Sequence, residues 1–214
     1  PLLRDIFVPL AAGAQISIPA ANQLTDSTAL LNWFAQEKIT CTHLTPAMCR
    51  VLTASEQDTR LPTLRLAGFG GDRLNGDVIQ ALRAVAPDVA AVNFSGTTET
   101  PQVMAVYPVP AHAVVDTGAA LSGAVPIGRG IEGVQLLVLD EKFNLCAPGC
   151  VGQIAIRTPY LTEGYISGED SGRYVVNPHH RDVNDRLYLT GDRGRFSLDG
   201  LVEFLGRMDQ QVKI

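Results

Sequence analysis

The sequence is short of charge and of aromatic rings: charged residues make up 18% and Phe, Trp and Tyr together 6% of its 214 residues. An average soluble domain carries about 25% charged residues, so much of this surface is expected to pack against something else. With 46% hydrophobic residues the chain is neither disordered nor collagen-like. A basic run is missing. Lys plus Arg total 17 against 22 Asp plus Glu, a formal net charge of -5, which leaves nothing to track a phosphate backbone and excludes nucleic acid as a partner. No apolar stretch approaches the roughly 20 residues of a membrane span, so a membrane partner is not expected. The opening Pro1-Leu2-Leu3 has neither an initiator Met nor a signal-peptide pattern, so the chain is expected to be an excerpt of a longer polypeptide. No internal repeat or low-complexity segment stands out. The cysteines, Cys41, Cys49, Cys146 and Cys150, include no CxxC, and no histidine falls at a zinc-ligand offset from them. Cys41 in an apolar strand and Cys49 on a short helix suit reduced thiols, and hence a cytoplasmic location. Cys146 and Cys150 flank the turn Ala147-Pro148-Gly149 without an expected disulfide, and His179 and His180 are expected to be solvated in a polar loop.

What is present alternates. Leu2, Leu3, Ile6, Phe7 and Leu10 recur at helical spacing, with Gly13 where a C-terminal cap belongs. Residues 14–19 then alternate as a strand does, and Asp26-Ser27 caps a helix with the apolar stripe Leu30, Leu31, Phe34 and Ile39. The pattern continues through a strand at 40–44, a helix at 46–54 opened by Pro46, a strand at 64–69, a helix at 77–85 and a strand at 89–94. Such alternation predicts right-handed crossovers and a largely parallel sheet covered on both faces. Beyond about residue 103 the helical period disappears. Short strands are predicted at 134–139, 153–157, 187–189, 194–197 and 201–205, with Asp199-Gly200 as the hairpin turn between the last two. The expected fold class is α/β: an α/β lobe at 1–108, then a β-rich lobe at 109–214, a distorted barrel.

Two strings mislead. Gly128-Arg129-Gly130-Ile131-Glu132-Gly133 matches GxGxxG, but the dinucleotide fingerprint needs a strand before it and a helix after it. A strand follows instead, so these glycines are expected to serve tight turns. The hydrolase elbow GxSxG lacks its first glycine around Ser95, and no Ser-His-Asp triad can be built from local signals.

Three segments inform. Asn93-Phe94-Ser95-Gly96-Thr97-Thr98-Glu99 follows a buried strand, and the carboxyl edge of a sheet is where open α/β folds bind ligands. Amides and hydroxyls in such a loop can hold phosphate oxygens, and a carboxylate beside them can hold the magnesium that accompanies a nucleotide. Taken alone, the string reads more simply as a turn that merely ends a strand. Tyr188-Leu189-Thr190-Gly191-Asp192 follows a predicted strand at 186–189, where an Asp can accept both ribose hydroxyls; by itself Thr-Gly-Asp is only a turn. Gly206-Arg207-Met208-Asp209-Gln210-Gln211-Val212-Lys213-Ile214 sets Arg207 and Lys213 around Asp209, as a pivot or a solvated edge strand.

In order, these segments resemble the adenylate-forming superfamily, most closely the adenylation domains of nonribosomal peptide synthetases. Residues 93–99 resemble the NxYGPTE loop, Val125-Pro126-Ile127-Gly128-Arg129 the PIGRP turn, and 149–165 the PGELxIxGxGLARGYL segment, with Ile154-Ala155-Ile156-Arg157-Thr158 in place of its glycines. Residues 188–192 resemble Y(R/K)TGD and 206–214 GRxDxQVKI, while 4–13 and 64–72 match more weakly. The resemblance implies a flavodoxin-like subdomain in 1–108, part of the β-barrel subdomain in 109–214, and a chain that ends at the hinge of the large N-terminal lobe. No TSGTTGxPKG-like phosphate loop and no C-terminal lobe with its lysine is present, so this excerpt is expected to be inactive alone.

Roles carry over by position. Glu99 resembles the magnesium-binding glutamate, Thr98 the hydroxyl beside the α-phosphate, and Asp192 the ribose-binding aspartate. Asn93, Ser95, Gly96 and the Gly71 backbone are expected along the nucleotide, Phe204 near the ribose, Arg207 at ribose or phosphate, Asp209 at the hinge and Lys213 just past it. The acyl pocket maps onto His43, Gly68, Gly70, Phe94, Gln102 and Val103. Ser95 stands where the family has a tyrosine that packs on adenine, and Thr97 where it has proline. Phe94 cannot replace that ring, because strand alternation sends it to the other face. Arg4 stands where many relatives carry Trp. The implied reaction uses ATP and Mg2+ to convert a carboxylic acid, an amino acid in peptide synthetases, into an acyl-adenylate that a phosphopantetheine thiol on a carrier domain captures. An acyl- or aryl-CoA ligase and a non-catalytic adenylation-like scaffold are the alternatives.

Overall fold

The computed structural model describes residues 2–101, 103–111, 123–166, 168 and 172–208. The chain runs through α1 (Leu2–Ala11), α2 (Ser27–Gln36), β1 (Cys41–Leu44), α3 (Pro46–Thr53), β2 (Leu66–Phe69), α4 (Gly76–Val85), β3 (Ala90–Ser95), β4 (Ala105–Val109), β5 (Arg129–Gly130), β6 (Gln135–Leu139), β7 (Gly152–Arg157), β8 (Tyr174–Val176), β9 (Arg186–Phe196) and β10 (Val202–Arg207). The first five strands follow chain order in one sheet, and the second sheet has the order β10-β9-β7-β6, with β8 on β9. By packing, the chain divides into one unit of residues 1–92 and 108–123 and another of 93–107 and 124–214.

In the first unit β1 and β2 lie parallel, Cys41 opposite Leu66 and Leu44 opposite Phe69. Alternation of helix and strand is what the apolar spacing predicted. α2 starts where Asp26 accepts a 2.9 Å hydrogen bond from the Ala29 amide, and it buries Leu30, Leu31 and Phe34. An Asp26→Ala variant is expected to lower stability by about 1 kcal/mol, read as a shift in the urea midpoint, because that amide loses its acceptor. α3 has Pro46 in its first turn and the Thr45 hydroxyl capping the Met48 amide at 3.2 Å. Cys49 on α3 is fully buried, and burial pushes its thiol up to about 12, so it stays a neutral hydrophobe. Cys41, by contrast, is exposed, because it opens the short strand β1. Gly13, at φ +71°, follows α1 as the expected cap, with the Ala12, Gly13 and Ala14 amides bonded back to Val8, Leu10 and Pro9.

The strand expected at 14–19 does not form. These residues have no ladder partner, Ile18 is 82% exposed, and Ser17 bonds through its hydroxyl to Glu37. Alternation without a neighbouring edge leaves the backbone nothing to pair with.

The second unit carries the antiparallel sheet, with β6 on β7, β7 on β9 and β9 on β10. Val138, Ile154, Ile156 and Val202 anchor one apolar cluster, and Leu139, Ala155, Leu187 and Leu189 another. The separate strands expected at 187–189 and 194–197 are one 11-residue strand, β9, so Thr190-Gly191-Asp192 is not a turn beyond a strand. Gly191 has φ +75°, and the register of β9 shifts against both β7 and β10. The segment is a bulge, which re-aims side chains without ending the strand. Asp199-Gly200 forms the expected hairpin turn, Gly200 at φ +76°. The glycines at 128–133 serve turns and a two-residue strand and are followed by β6, as the rejection of the dinucleotide reading required. His179 and His180 are not merely solvated. One ring nitrogen of His179 lies 2.8 Å from the Phe143 carbonyl, and His180 lies 3.3 Å from Asp185, which also accepts bonds from Arg157 and Asn177. All four cysteines are free, and no helix among the described residues is long and apolar enough to cross a membrane.

Candidate functional site

The end of β3 fixes the loop that follows it. Asn93 is 3% exposed and donates through Nδ2 to the Pro126 carbonyl at 2.8 Å, tying the strand to the 125–128 turn. Two residues on, the Ser95 carbonyl accepts the Met104 amide at 2.8 Å and closes the loop at its base. Within the loop Thr97 and Thr100 clasp each other: each amide donates to the other's hydroxyl at 3.3 Å, and the hydroxyls lie 3.1 Å apart. Proline, expected at position 97 from the resemblance, has no N–H to contribute to such a clasp. Thr97 therefore shapes the loop by a different means.

Glu99 sits on this clasp. Its Oε1 accepts the Tyr165 hydroxyl at 2.7 Å, and its carbonyl accepts the Thr162 amide at 3.1 Å. Burial acts to raise its pKa, but hydrogen bonds from Tyr165, its own backbone amide, Tyr188 and Thr97 outweigh that and hold it below the ordinary carboxylate value. Tyr188, 3% exposed, is pushed far up by burial and by its bonds to Glu99 and Tyr165, so it remains a neutral donor. Glu99 makes no ion pair among the described residues. Its charge is thus kept, oriented by neutral hydroxyls and, among the described residues, not neutralised by a cation.

Asp192 lies on the bulge of β9. Its Oδ1 pairs with Arg207 Nη1 at 2.9 Å, and the two side chains are 25% and 23% exposed. The same Arg207 nitrogen donates to the Thr190 carbonyl at 2.9 Å, which Arg173 Nη1 also approaches at 3.0 Å. Thr190 itself is buried; its hydroxyl donates to the Ile154 carbonyl at 2.8 Å and accepts the Asp192 amide at 3.0 Å. Gly191 is favoured there by its φ of +75°; a Cβ would also fall 2.6 Å from Arg173 Nη1, the movable end of a long side chain. Arg207, anticipated at ribose or phosphate, thus reaches the carboxylate expected to grip ribose. Arg173 was not anticipated: it lies outside every matched segment. Tyr165 and Tyr188 were, as segment residues without assigned roles.

The remaining site residues divide between the two units. Gly96 and Thr98 are exposed, while Phe94, Ser95 and Val103 are half-buried; Phe204 packs against the Val138 and Ile154 cluster. In the first unit Gly68 and Gly70 are buried, Gly71 has φ +86°, and His43 is half-buried on β1. Arg4 Nη2 lies 2.8 Å from His43 Nδ1 and Asp5 Oδ2 lies 3.3 Å from it. Burial, with Arg4 adding to it, lowers the His43 pKa despite the Asp5 bond, so the ring is neutral near pH 7. Gln102, Asp209 and Lys213 lie outside the described residues.

These residues fit a particular kind of cofactor. No group of three or more His, Cys, Asp or Glu that could hold a metal occurs among the described residues. Glu99 alone suits an ion that takes one protein carboxylate and completes its shell with water and substrate phosphate, as magnesium does.

The family model described as AMP-binding enzyme matches residues 2–166. The L-2-aminoadipate reductase of Schizosaccharomyces pombe is 35% identical over all of this chain, which spans 17% of that protein's length. A solved structure of the nonribosomal peptide synthetase FmoA3, in its alpha-methyl-L-serine-AMP bound form, matches 98% of this chain and 23% of its own at 29% identity, with a TM-score of 0.83. PA1221, a protein containing adenylation and PCP domains, matches 88% of this chain and 37% of its own at 28% identity, with a TM-score of 0.72. With a family match over most of its length, this chain belongs to the AMP-binding enzyme family and is similar to the adenylation domains of nonribosomal peptide synthetases.

Proposed function

We propose that this chain forms part of an ATP-dependent enzyme that activates an amino acid as an acyl-adenylate and passes it to a phosphopantetheine thiol on a carrier domain. The observation that carries the reading is Glu99: a carboxylate held ionised by Tyr165 and its neighbours, with no cation paired to it among the described residues. Under this reading residues 1–108 supply the α/β subdomain and 109–214 the β-rich one. The substrate carboxylate attacks the α-phosphorus, the bond to pyrophosphate breaks, and the leaving group carries away the charge. Magnesium, when bound, draws charge from the phosphate oxygens. Glu99 would hold that ion, the Thr98 hydroxyl and the Gly96 backbone would serve the phosphate, and Asp192, steadied by Arg207, would take the ribose hydroxyls. Positioned donors and cations of this kind supply most of the rate in phosphoryl chemistry.

An amino acid is favoured over a simple acyl chain by two observations. Both the reductase named for L-2-aminoadipate and the synthetase bound to alpha-methyl-L-serine-AMP act on or hold amino acids. The Arg4–Asp5 ion pair beside a neutral His43 sets hydrogen-bonding groups at a position expected for the acyl pocket, which suits a substrate with polar groups of its own. The test is ATP–pyrophosphate exchange by the intact parent enzyme against a panel of amino, aryl and keto acids. Exchange driven by an amino acid is expected. No exchange with any acid would leave the scaffold alternative, and capture by free coenzyme A in place of a carrier domain would point to the ligase.

A further inference from the structure

Three tyrosines from three separate segments gather around Glu99. Tyr165 ends the 161–165 segment, Tyr174 opens β8 and Tyr188 lies on β9, directly opposite Tyr174 in the antiparallel ladder. The Tyr174 ring meets Tyr165 edge to face at 5.6 Å and Tyr188 at 5.4 Å. Thr162 joins the group twice: its hydroxyl lies 2.7 Å from the Tyr174 hydroxyl, and its amide donates to the Glu99 carbonyl at 3.1 Å. The 161–165 segment has no helix or strand of its own, yet it grips Glu99 by backbone and by side chain.

The arrangement is unlike a structural carboxylate. A glutamate that serves only stability is commonly paired with Arg or Lys, whereas here every donor among the described residues is a neutral hydroxyl or an amide. Such donors turn a carboxylate and hold it without cancelling its charge, which is how outer-shell groups prepare a metal ligand.

We infer that Tyr165 is a positioning residue for the divalent ion of this site, its hydroxyl orienting the Glu99 carboxylate while the ring, packed on Tyr174, holds the hydroxyl in place. The inference rests on the reading of Glu99 as the metal-binding carboxylate. Removing the hydroxyl leaves the ring packing intact but frees the carboxylate to rotate. Outer-shell changes of this kind cost about 10–100-fold in metal affinity.

The experiment uses the intact parent enzyme with a non-hydrolysable ATP analogue, and it reads free Mn2+ by electron paramagnetic resonance. Tyr165→Phe is expected to raise the Mn2+ dissociation constant about 10–100-fold, with the melting temperature and the metal-free nucleotide affinity unchanged. At saturating metal its kcat recovers, so the defect falls on the metal activation constant. Tyr165→Leu is expected to bind Mn2+ no more tightly than Tyr165→Phe. A wild-type Mn2+ affinity in Tyr165→Phe overturns the inference, as does a loss confined to Tyr165→Leu, which would assign the role to the ring alone. Glu99→Gln separates the two levels. If it abolishes Mn2+ binding while Tyr165→Phe does not, only the positioning role falls; if it too binds Mn2+ normally, the metal reading falls and this inference with it.

Discussion

Glu99→Gln, made in the intact parent enzyme, is expected to lower amino-acid-dependent pyrophosphate exchange by about a hundredfold or more, the range seen when one preorganised charge-stabilising group is removed. The substitution keeps the shape of the side chain and an oxygen able to accept the Tyr165 hydroxyl, now 2.7 Å from Oε1. What it removes is the charge, and it places an amide that donates where only acceptors stood. The amide-to-hydroxyl bonds between Thr97 and Thr100 do not pass through the Glu99 side chain, and a Gln oxygen can still accept from Thr97, Tyr165 and Tyr188, so the loop and the melting temperature should be preserved. Exchange assays beside a thermal melt distinguish the two effects. Exchange near the wild-type rate in a folded variant removes Glu99 from the chemistry.

The largest loss of stability is expected at Gly128. Its φ is +90°, and a Cβ built there would lie 2.0 Å from the Val106 carbonyl oxygen and 2.6 Å from its carbon. Both obstacles are backbone, so no rotamer change can relieve them. Gly128→Ala should therefore cost at least about 3 kcal/mol, the left-handed conformation alone accounting for about 1–2 kcal/mol of it. Gly149 is the control. It has φ +86° with nothing within 4 Å of its would-be Cβ, so Gly149→Ala carries the conformational cost without the collision. Urea unfolding of both variants measures the difference; equal midpoints would dismiss the close approach. The same contact explains why a GxGxxG string occurs here without a dinucleotide site: the first glycine lets one backbone segment pass against another.

Much of the fold was legible because local signals and burial agreed. Asp26 and Thr45 cap the helices they precede, and Leu30, Leu31 and Phe34 are buried as their spacing implied. Failures came where the deciding partner is distant in sequence. Residues 14–19 alternate as well as any strand in the chain, but no edge meets them. Thr190-Gly191-Asp192 has the composition of a turn, yet pairing with β7 on one side and β10 on the other carries β9 straight through it. The candidate site was legible only as a proposal written in contiguous blocks. Glu99 and Asp192 could be put forward from their strings; the Arg173 contact with the Thr190 carbonyl and the meeting of Tyr165, Tyr174 and Tyr188 could not. Those depend on which strands become neighbours, and on a register in which Tyr174 faces Tyr188.

The reciprocal Thr97–Thr100 bonds have one more bearing. A segment whose shape is settled by its own hydroxyls and amides loses little freedom when a ligand arrives, so association there gains in affinity by entropy it never has to surrender. Under the proposed function, weakening either hydroxyl would loosen nucleotide binding through disorder in the unliganded enzyme, although neither threonine need touch the nucleotide.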